Sequence, residues 1–307
     1  GLITLEIIPG CMRSTMPPPV NLEINRGYGY TKRASWKIAE EAELKKINPD
    51  AIFIIKDKAD DDRGPGSYQY PLRGEFVQGV FDIRKFEVIP GEKQIEFRVT
   101  MQREIARSLL SRIGEGLWLH QIIDIYVDTD RVSGSGELKA LPGRDVRFEA
   151  AFAWDKAILV VPENESDMKR TLRDKSELIG FGSYELDQRI MLPTSVDVNG
   201  WTFVIKVPKG LLGEPTKDWA YQVLMMAYEE FDRPDTLKNK KINSFATEQG
   251  FGGGSDYSGS PNVLDMLVPK GLDQYRILGK YISHPDPAQS QMAFIPMVTS
   301  VDADTEK

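Results

Sequence analysis

The segment 57–62 holds four aspartates, and glycines at 64 and 66 follow it, so the backbone there can wrap closely around a ligand. These aspartates are Asp57, Asp60, Asp61 and Asp62. Carboxylates this close repel one another unless a cation or solvent screens them, and clustered carboxylate oxygens are the ligands that Ca²⁺ takes. We therefore predict a calcium site here, with Asp82 as a distant ligand. The alternative is a solvated Asp-rich turn.

A second group of acids lies along 122–130, where side chains alternate in direction if the segment is a strand. One strand face then carries Asp124, Tyr126, Asp128 and Asp130. Such a face must contact water or bind a metal, and the Asp-x-Asp spacing at 128 and 130 resembles an EF-hand loop only in part. Asp155 either joins this group or forms a surface ion pair with Arg144 or Arg147.

A third candidate site lies near the glycine triplet 252–254, where Asp256 and Asp265 flank the Pro-Asn pair that ends at Asn262. Glycine lets the backbone approach a ligand or ion closely. The segment lacks the Gly-Lys-Ser/Thr ending of a phosphate-binding loop. We predict either a ligand-binding loop or a Gly-rich turn that packs on the edge of the fold.

Aromatic side chains near loops could stack against sugar rings, because the C–H face of a pyranose fits a flat apolar ring. The candidates are Tyr68, Tyr70, Trp118, Tyr184 and Tyr257. Packing inside the fold is the alternative for each of them. Trp154, Trp201 and Trp219 follow strand alternation and are predicted to lie in the core.

The chain has one cysteine, Cys11, and two histidines, His120 and His284. This composition argues against a disulfide framework, a zinc site and a Ser-His or Cys-His triad, so a bound metal should have oxygen ligands. Haem is not expected, because the sequence pairs no histidine or methionine at a ligand-like spacing. Glycoside hydrolysis needs two carboxylates about 5 to 10 Å apart, and no motif selects such a pair. We predict a protein without catalytic activity.

The formal net charge is −7, from 39 Lys and Arg against 46 Asp and Glu. An acidic chain binds a phosphate backbone poorly, which disfavours nucleic acid as a partner. The apolar runs are shorter than the roughly 18 residues that span a membrane. Residues 8–11 loosely resemble a lipoprotein cleavage site, so lipidation of Cys11 stands beside a free cysteine as an alternative.

Period-two alternation dominates the chain and predicts an all-β, antiparallel sandwich over 48–300. Strands are expected at 51–56, 80–89, 94–101, 117–128, 146–161, 177–191, 201–207, 219–225 and 292–298. Before the sandwich we predict an extended arm over 1–24, with its Pro17–Pro19 run, and one short helical segment over 25–47. A long Gly-rich loop is expected over 229–262, and a flexible tail over 301–307.

Several motifs, in order, resemble one known family. They lie at 60–71 (Asp-Asp-Asp-Arg-Gly-Pro-Gly-Ser-Tyr-Gln-Tyr-Pro), 81–82, 124–130, 134–136, 141–144 (Leu-Pro-Gly-Arg), 153–155 (Ala-Trp-Asp), 251–254, 261–266 and 273–274. Together they resemble the C-terminal binding module of glucodextranase and related amylopullulanases, across about 48–298. The resemblance implies a DOMON-like or jelly-roll-like sandwich, extracellular or at the cell surface, that binds rather than cleaves polysaccharide.

Three functions are compatible with these observations. The first is a non-catalytic cell-surface module that binds polysaccharide or cell-envelope glycan and is stabilised by calcium. The second is a structural subunit of a surface layer or filament, assembled through the 1–24 arm. The third is a haem-binding electron-transfer protein, because some DOMON-like domains bind haem.

Overall fold

The computed structural model describes residues 38–39, 41–73, 76–106, 118 and 120–303. The predicted arm 1–24 with Cys11 lies outside them, as do most of the predicted helical segment 25–47 and the end of the tail. Helix α1 (Glu41–Lys45) occupies five residues of that helical segment. No helix in the described part of the chain is both long and apolar enough to cross a membrane.

The described residues form twelve strands, most of them built from the period-two segments. They are β1 (Phe53–Lys56), β2 (Ile83–Pro90), β3 (Gln94–Met101), β4 (Gln121–Asp128), β5 (Val146–Phe148), β6 (Lys156–Val160), β7 (Ile190–Met191), β8 (Ser195–Asn199), β9 (Thr202–Pro208), β10 (Ala220–Ala227), β11 (Asp265–Met266) and β12 (Ala293–Ile295). Strand β3 has the predicted bounds. The run 146–161 divides into β5, a 3₁₀ turn and β6.

The strands assemble into two main sheets, which confirms the predicted all-β sandwich. The first sheet has the order β1-β2-β3-β9-β8 and is antiparallel throughout. The second has the order β11-β10-β4-β6-β7 and is antiparallel except between β6 and β7. Strands β5 and β12 form a small parallel pair.

Two apolar clusters cover the second sheet on both faces. In the first, Phe86 and Phe97 of the first sheet pack against Tyr221 of β10, with ring centroids 5.6 and 6.4 Å from the tyrosine. In the second, Tyr126 of β4 packs against Phe148 and Trp154. Every residue of β4 and β10 is therefore buried, which removes the alternation of buried and exposed residues expected of a half-covered strand.

Three short helices occupy most of the segment 165–189, so the predicted strand over 177–191 is wrong except for β7. The remaining helices are α2 (Glu165–Asp174), α3 (Ser176–Ile179), α4 (Ser183–Arg189), α5 (Lys209–Leu212) and α6 (Gln274–Leu278). The prediction of a single short helix is likewise wrong. Buried Met168 and Leu172 of α2 are four residues apart, which is the spacing of a helix face. The loop 229–262, described throughout, contains neither helix nor strand.

Candidate metal centre

Three aspartates from distant parts of the sequence meet at one edge of the sandwich. Asp57 follows β1 of the first sheet, Asp61 lies in the β1–β2 loop, and Asp265 lies in β11 of the second sheet. One carboxylate oxygen from each lies within 4.8 Å of the other two, and all three residues are buried. With the buried neighbours Asp62 and Asp82 they form what we call the acidic cluster.

Several oxygens of the acidic cluster are buried without a hydrogen-bond partner among the described residues. These are Asp57 Oδ2, Asp61 Oδ1, Asp62 Oδ1 and Asp82 Oδ1. Asp265 is better satisfied, because its Oδ2 accepts from the Ile83 amide at 2.6 Å and its Oδ1 from the Met266 amide at 2.9 Å. A buried carboxylate oxygen without a donor is costly, so these oxygens favour binding of a cation or protonation of the carboxylates.

The electrostatics of the cluster favour a cation. Burial raises the pKa of Asp61 to about 6. Burial, together with the Asp62 carboxylate, raises the pKa of Asp82 to about 9. The pKa values of Asp57 and Asp265 are also well above the ordinary aspartate value, first through burial and then through repulsion from Asp61 and Asp57 respectively. Arg84 offers limited compensation, since its Nε lies 3.8 Å from Asp82 Oδ1.

Gln274 in α6 connects the β1–β2 loop to β11, although the sequence alone predicts no role for it at the site. Its Nε2 donates to the Asp61 carbonyl at 2.7 Å, and its Oε1 accepts from the Met266 amide at 2.9 Å. The side chain is buried and thus bridges both halves of the cluster. The only signal in the sequence was the motif at 273–274, which carried the family resemblance.

Two other predicted ligands of this site have local partners. Asp60 is exposed, and its Oδ1 accepts from Gln102 Nε2 at 2.7 Å, outside the group of three. Asp62 accepts from the Tyr70 hydroxyl and from the Gly79 amide through Oδ2, which leaves Oδ1 free. An all-oxygen set of buried carboxylates suits a hard cation such as Ca²⁺, with Asp57, Asp61 and Asp265 as the candidate ligands.

The second predicted group differs, because most of its oxygens bind the surrounding loop. Asp128, Asp130 and Asp155 approach one another within 4.8 Å. Asp155 Oδ2 accepts from both the amide and the hydroxyl of Thr129, while Asp130 accepts from the Val132 amide and the Ser135 hydroxyl. Asp128 Oδ1 accepts from the Arg131 amide. These contacts are those of a carboxylate-capped turn.

Asp124 does not lie on an exposed or metal-binding strand face, so that prediction is wrong. Its side chain is fully buried under the second apolar cluster and forms a bidentate pair with Arg144. The Nε–Oδ2 distance is 2.7 Å and the Nη2–Oδ1 distance is 2.8 Å. Tyr126 donates to the same carboxylate at 2.7 Å. The guanidinium thus neutralises the Asp124 charge, for which the sequence alone predicts contact with solvent or a metal.

Tyr68 and Trp118 cannot stack against a sugar, because each has 1% of its surface exposed. Tyr68 donates its hydroxyl to the Pro261 carbonyl, and Trp118 donates Nε1 to the Gln121 carbonyl. Tyr70 packs on Phe81 and Phe251 in the inter-sheet core. These three assignments are corrected to packing roles.

The other candidate ligand-binding residues divide into exposed and buried groups. Tyr184 and Tyr257 are 82% and 55% exposed, and they remain predicted sugar contacts. Asp256 is exposed and accepts from the Ser244 amide and hydroxyl. Asn262 is buried and makes structural hydrogen bonds, so it is not available to a ligand directly. Trp154 and Trp219 are buried, as predicted, whereas Trp201 is only half-buried, so its assignment to the core is wrong.

Comparison with protein families agrees with the motif order. Residues 52–298 match the family described as the C-terminal binding-module, SLH-like, of glucodextranase. The match covers most of the chain and includes both sheets and the acidic cluster. A comparison with curated proteins gives no match. The matched family is one of binding modules and not of catalytic domains. The chain therefore belongs to the family of SLH-like C-terminal binding modules of glucodextranase.

Proposed function

We propose that this protein is a non-catalytic module that binds polysaccharide or cell-envelope glycan at the cell surface, and that bound calcium stabilises it. The observation that carries the calcium part is the group of three buried carboxylates shared between the two sheets, in which Asp57 and Asp61 each have a buried oxygen without a donor. Family membership supports the binding part. The aspartates of this cluster contribute to the net charge of −7, and a bound divalent cation would neutralise part of their charge.

The position of the cluster explains why an ion would stabilise the fold. Asp57 and Asp61 belong to the first sheet and its β1–β2 loop, whereas Asp265 belongs to the second sheet. A cation bound by all three would connect the two sheets at this edge. It would also replace mutual repulsion with attraction, because the carboxylates would no longer need protons to remain buried. Extracellular calcium modules commonly bind with dissociation constants of roughly 10⁻⁴ to 10⁻³ M.

Burial also supports a binding role without turnover. Hydrolysis of a glycosidic bond requires two carboxyl groups that flank the bond and can reach it. The aspartates of the acidic cluster have little or no exposed surface, since even Asp57 is only 9% exposed. A sugar chain could not approach them without opening the fold. The cluster therefore suits an ion better than a substrate.

Isothermal titration tests the binding proposal directly. The purified protein would be titrated with dextran, starch-type α-glucans and isolated cell-wall polysaccharide, in buffer with calcium and again with a chelator. We expect saturable heat with at least one polysaccharide and weaker binding in chelator. If none of these glycans gives heat, the binding proposal is refuted. A melting temperature that does not change with calcium would refute the metal part separately.

A further inference from the structure

A small pocket lies beside the turn 141–145 and the start of β5, and it shares no lining residue with the acidic cluster. Its volume is about 220 Å³, and its lining includes residues of the turn, Trp154, Leu178 and Ile179 of α3, and Phe181 between α3 and α4. Pockets for drug-sized ligands are usually about 300 to 1,000 Å³, so this one has room for roughly a single ring. We call it the turn pocket.

A buried polar network holds the turn rigidly. Arg144, fully buried, donates to Asp124 and to the carbonyls of Pro142 and Leu237. The Gly143 carbonyl accepts from Asn239 Nδ2 at 2.7 Å and from Asn262 Nδ2 at 2.8 Å. Each of these groups would be costly to leave unpaired at this depth, so the network fixes one conformation of the turn.

The network keeps two residues of the turn in the left-handed region. Gly143 has φ +89° and Asp145 has φ +54°. A Cβ at Gly143 would lie 2.4 Å from Asn239 Oδ1, so glycine is required there. Strained backbone of this kind persists where the surroundings enforce it, often at ligand sites. Its effect here is to place the Asp145 carboxylate in the pocket wall, held by Asn262 Nδ2 at 3.0 Å from Oδ2.

The lining matches an uncharged ring with many hydroxyl groups. Glu137, Asp145 and Asp235 supply hydrogen-bond acceptors, and Lys139 supplies a donor. Lys241 forms an ion pair with Asp235. The charges of these groups therefore nearly balance, which favours a neutral ligand over an anionic one.

Part of the pocket lining is apolar. Leu178 is 43% exposed, and Ile179 and Phe181 lie beside it. A pyranose has hydroxyls around its edge and a C–H face, so it can use both kinds of wall at once. Segments that carry the family resemblance also converge here, because Leu141, Gly143 and Trp154 line the pocket and Asn262 holds its turn.

We propose that the turn pocket binds one neutral hexopyranose unit of the glycan, with Asp145 accepting from its hydroxyls and Leu178 covering its C–H face. This inference rests on the proposed function, and it gives the buried Asn262 the role of a positioning residue. It adds a pocket for recognition to the predicted sugar contacts of the exposed Tyr184 and Tyr257.

The first experiment measures polysaccharide affinity of variants by isothermal titration in calcium buffer. Asp145→Asn keeps a residue that tolerates positive φ, and Leu178→Ala shortens an exposed side chain, so both variants should fold. We expect each to weaken binding roughly tenfold. Matched controls are Asp197→Asn and Leu211→Ala, which alter an exposed aspartate and a 48% exposed leucine outside the pocket. Affinities of the pocket variants equal to the wild type would overturn the pocket and leave the proposed function intact.

A second experiment tests the pocket even if no polysaccharide binds. Methyl-labelled protein would be titrated with methyl α-glucopyranoside and followed by NMR. We expect saturable shifts of the Leu178 and Ile179 methyl signals, while the Leu211 signals remain unchanged. If the pocket signals do not shift up to high sugar concentration, the pocket inference fails whatever the polysaccharide result.

Discussion

Replacement of one carboxylate in the acidic cluster should have opposite effects with and without calcium. Asp61 is the suitable position, because its Oδ1 is buried without a donor, whereas Asp265 would lose backbone hydrogen bonds. In Asp61→Asn the shape is preserved and one negative charge is removed. The variant should therefore be more stable than the wild type in chelator and less stabilised than the wild type by calcium.

The magnitude follows from the pKa of Asp61, which burial raises from 3.8 to about 6. That rise corresponds to an ionisation cost at neutral pH of about 3 kcal/mol, or roughly 2 kcal/mol once solvent screening is allowed for. At 2 to 4 °C per kcal/mol, the variant should melt roughly 4 to 8 °C higher than the wild type in chelator. Calcium at a hundred times its dissociation constant should stabilise the wild type by about 2.7 kcal/mol, or roughly 5 to 11 °C.

Differential scanning calorimetry at neutral pH, with calcium and with chelator, measures both effects. Asp197→Asn is the control, because Asp197 is exposed on β8 and should change neither melting temperature. If Asp61→Asn retains the full calcium shift, the ion does not bind at this cluster. If it melts below the wild type in chelator, the claim that burial makes the ionised Asp61 carboxylate costly in the folded state is wrong.

Three further predictions concern pH, the buried ion pair and the turn. Burial raises the pKa of Asp61 to about 6, so without calcium the folded protein binds a proton at Asp61 more tightly than the unfolded chain does. Protonation of Asp61 therefore stabilises the fold fully below about pH 4, and this stabilisation is lost as the pH rises through 6. In chelator, the melting temperature of the wild type should fall over this pH range, and the melting temperature of Asp61→Asn should lack this fall. Arg144→Met leaves the buried carboxylate of Asp124 without its ion-pair partner and should lower the free energy of unfolding in urea by about 3 to 5 kcal/mol. The control Arg170→Met removes an exposed ion pair and should lower it by at most about 1 kcal/mol. Equal losses for the two variants would contradict the argument that the buried pair matters more. Gly143→Ala should lower the free energy of unfolding by about 2 kcal/mol or more in the same assay, because the new Cβ meets Asn239 and the residue has a positive φ. Gly210→Ala has open space around its Cβ and should be neutral or stabilising. A neutral Gly143→Ala would show that the turn can relax.

Local alternation was sufficient for much of the sheet structure. The residues of β3 alternate between apolar and polar along their whole length, and the strand has the predicted bounds. Prediction failed where packing covers both faces of an element or where helices are short. In 177–191, isolated leucines and isoleucines resemble strand alternation, yet Gly180 in a left-handed conformation ends α3 and a new helix begins after Gly182. Helix α4 packs against β6 and β7, and helices this short depend on such packing and carry little signal of their own.

The sequence by itself determined the chemistry available to this protein. Its scarce cysteine and histidine restrict metal binding to oxygen ligands, and its Asp-rich segment 57–62 predicts where such ligands begin. Only the tertiary structure decided which carboxylates share a site. Asp265 joins Asp57 and Asp61 because β11 and the β1–β2 loop meet at one edge of the sandwich, about two hundred residues apart in the chain. Asp124 leaves the predicted set because Arg144 reaches it from a turn. Charge and spacing are local properties, whereas burial and neutralisation depend on which distant side chains the fold brings into contact.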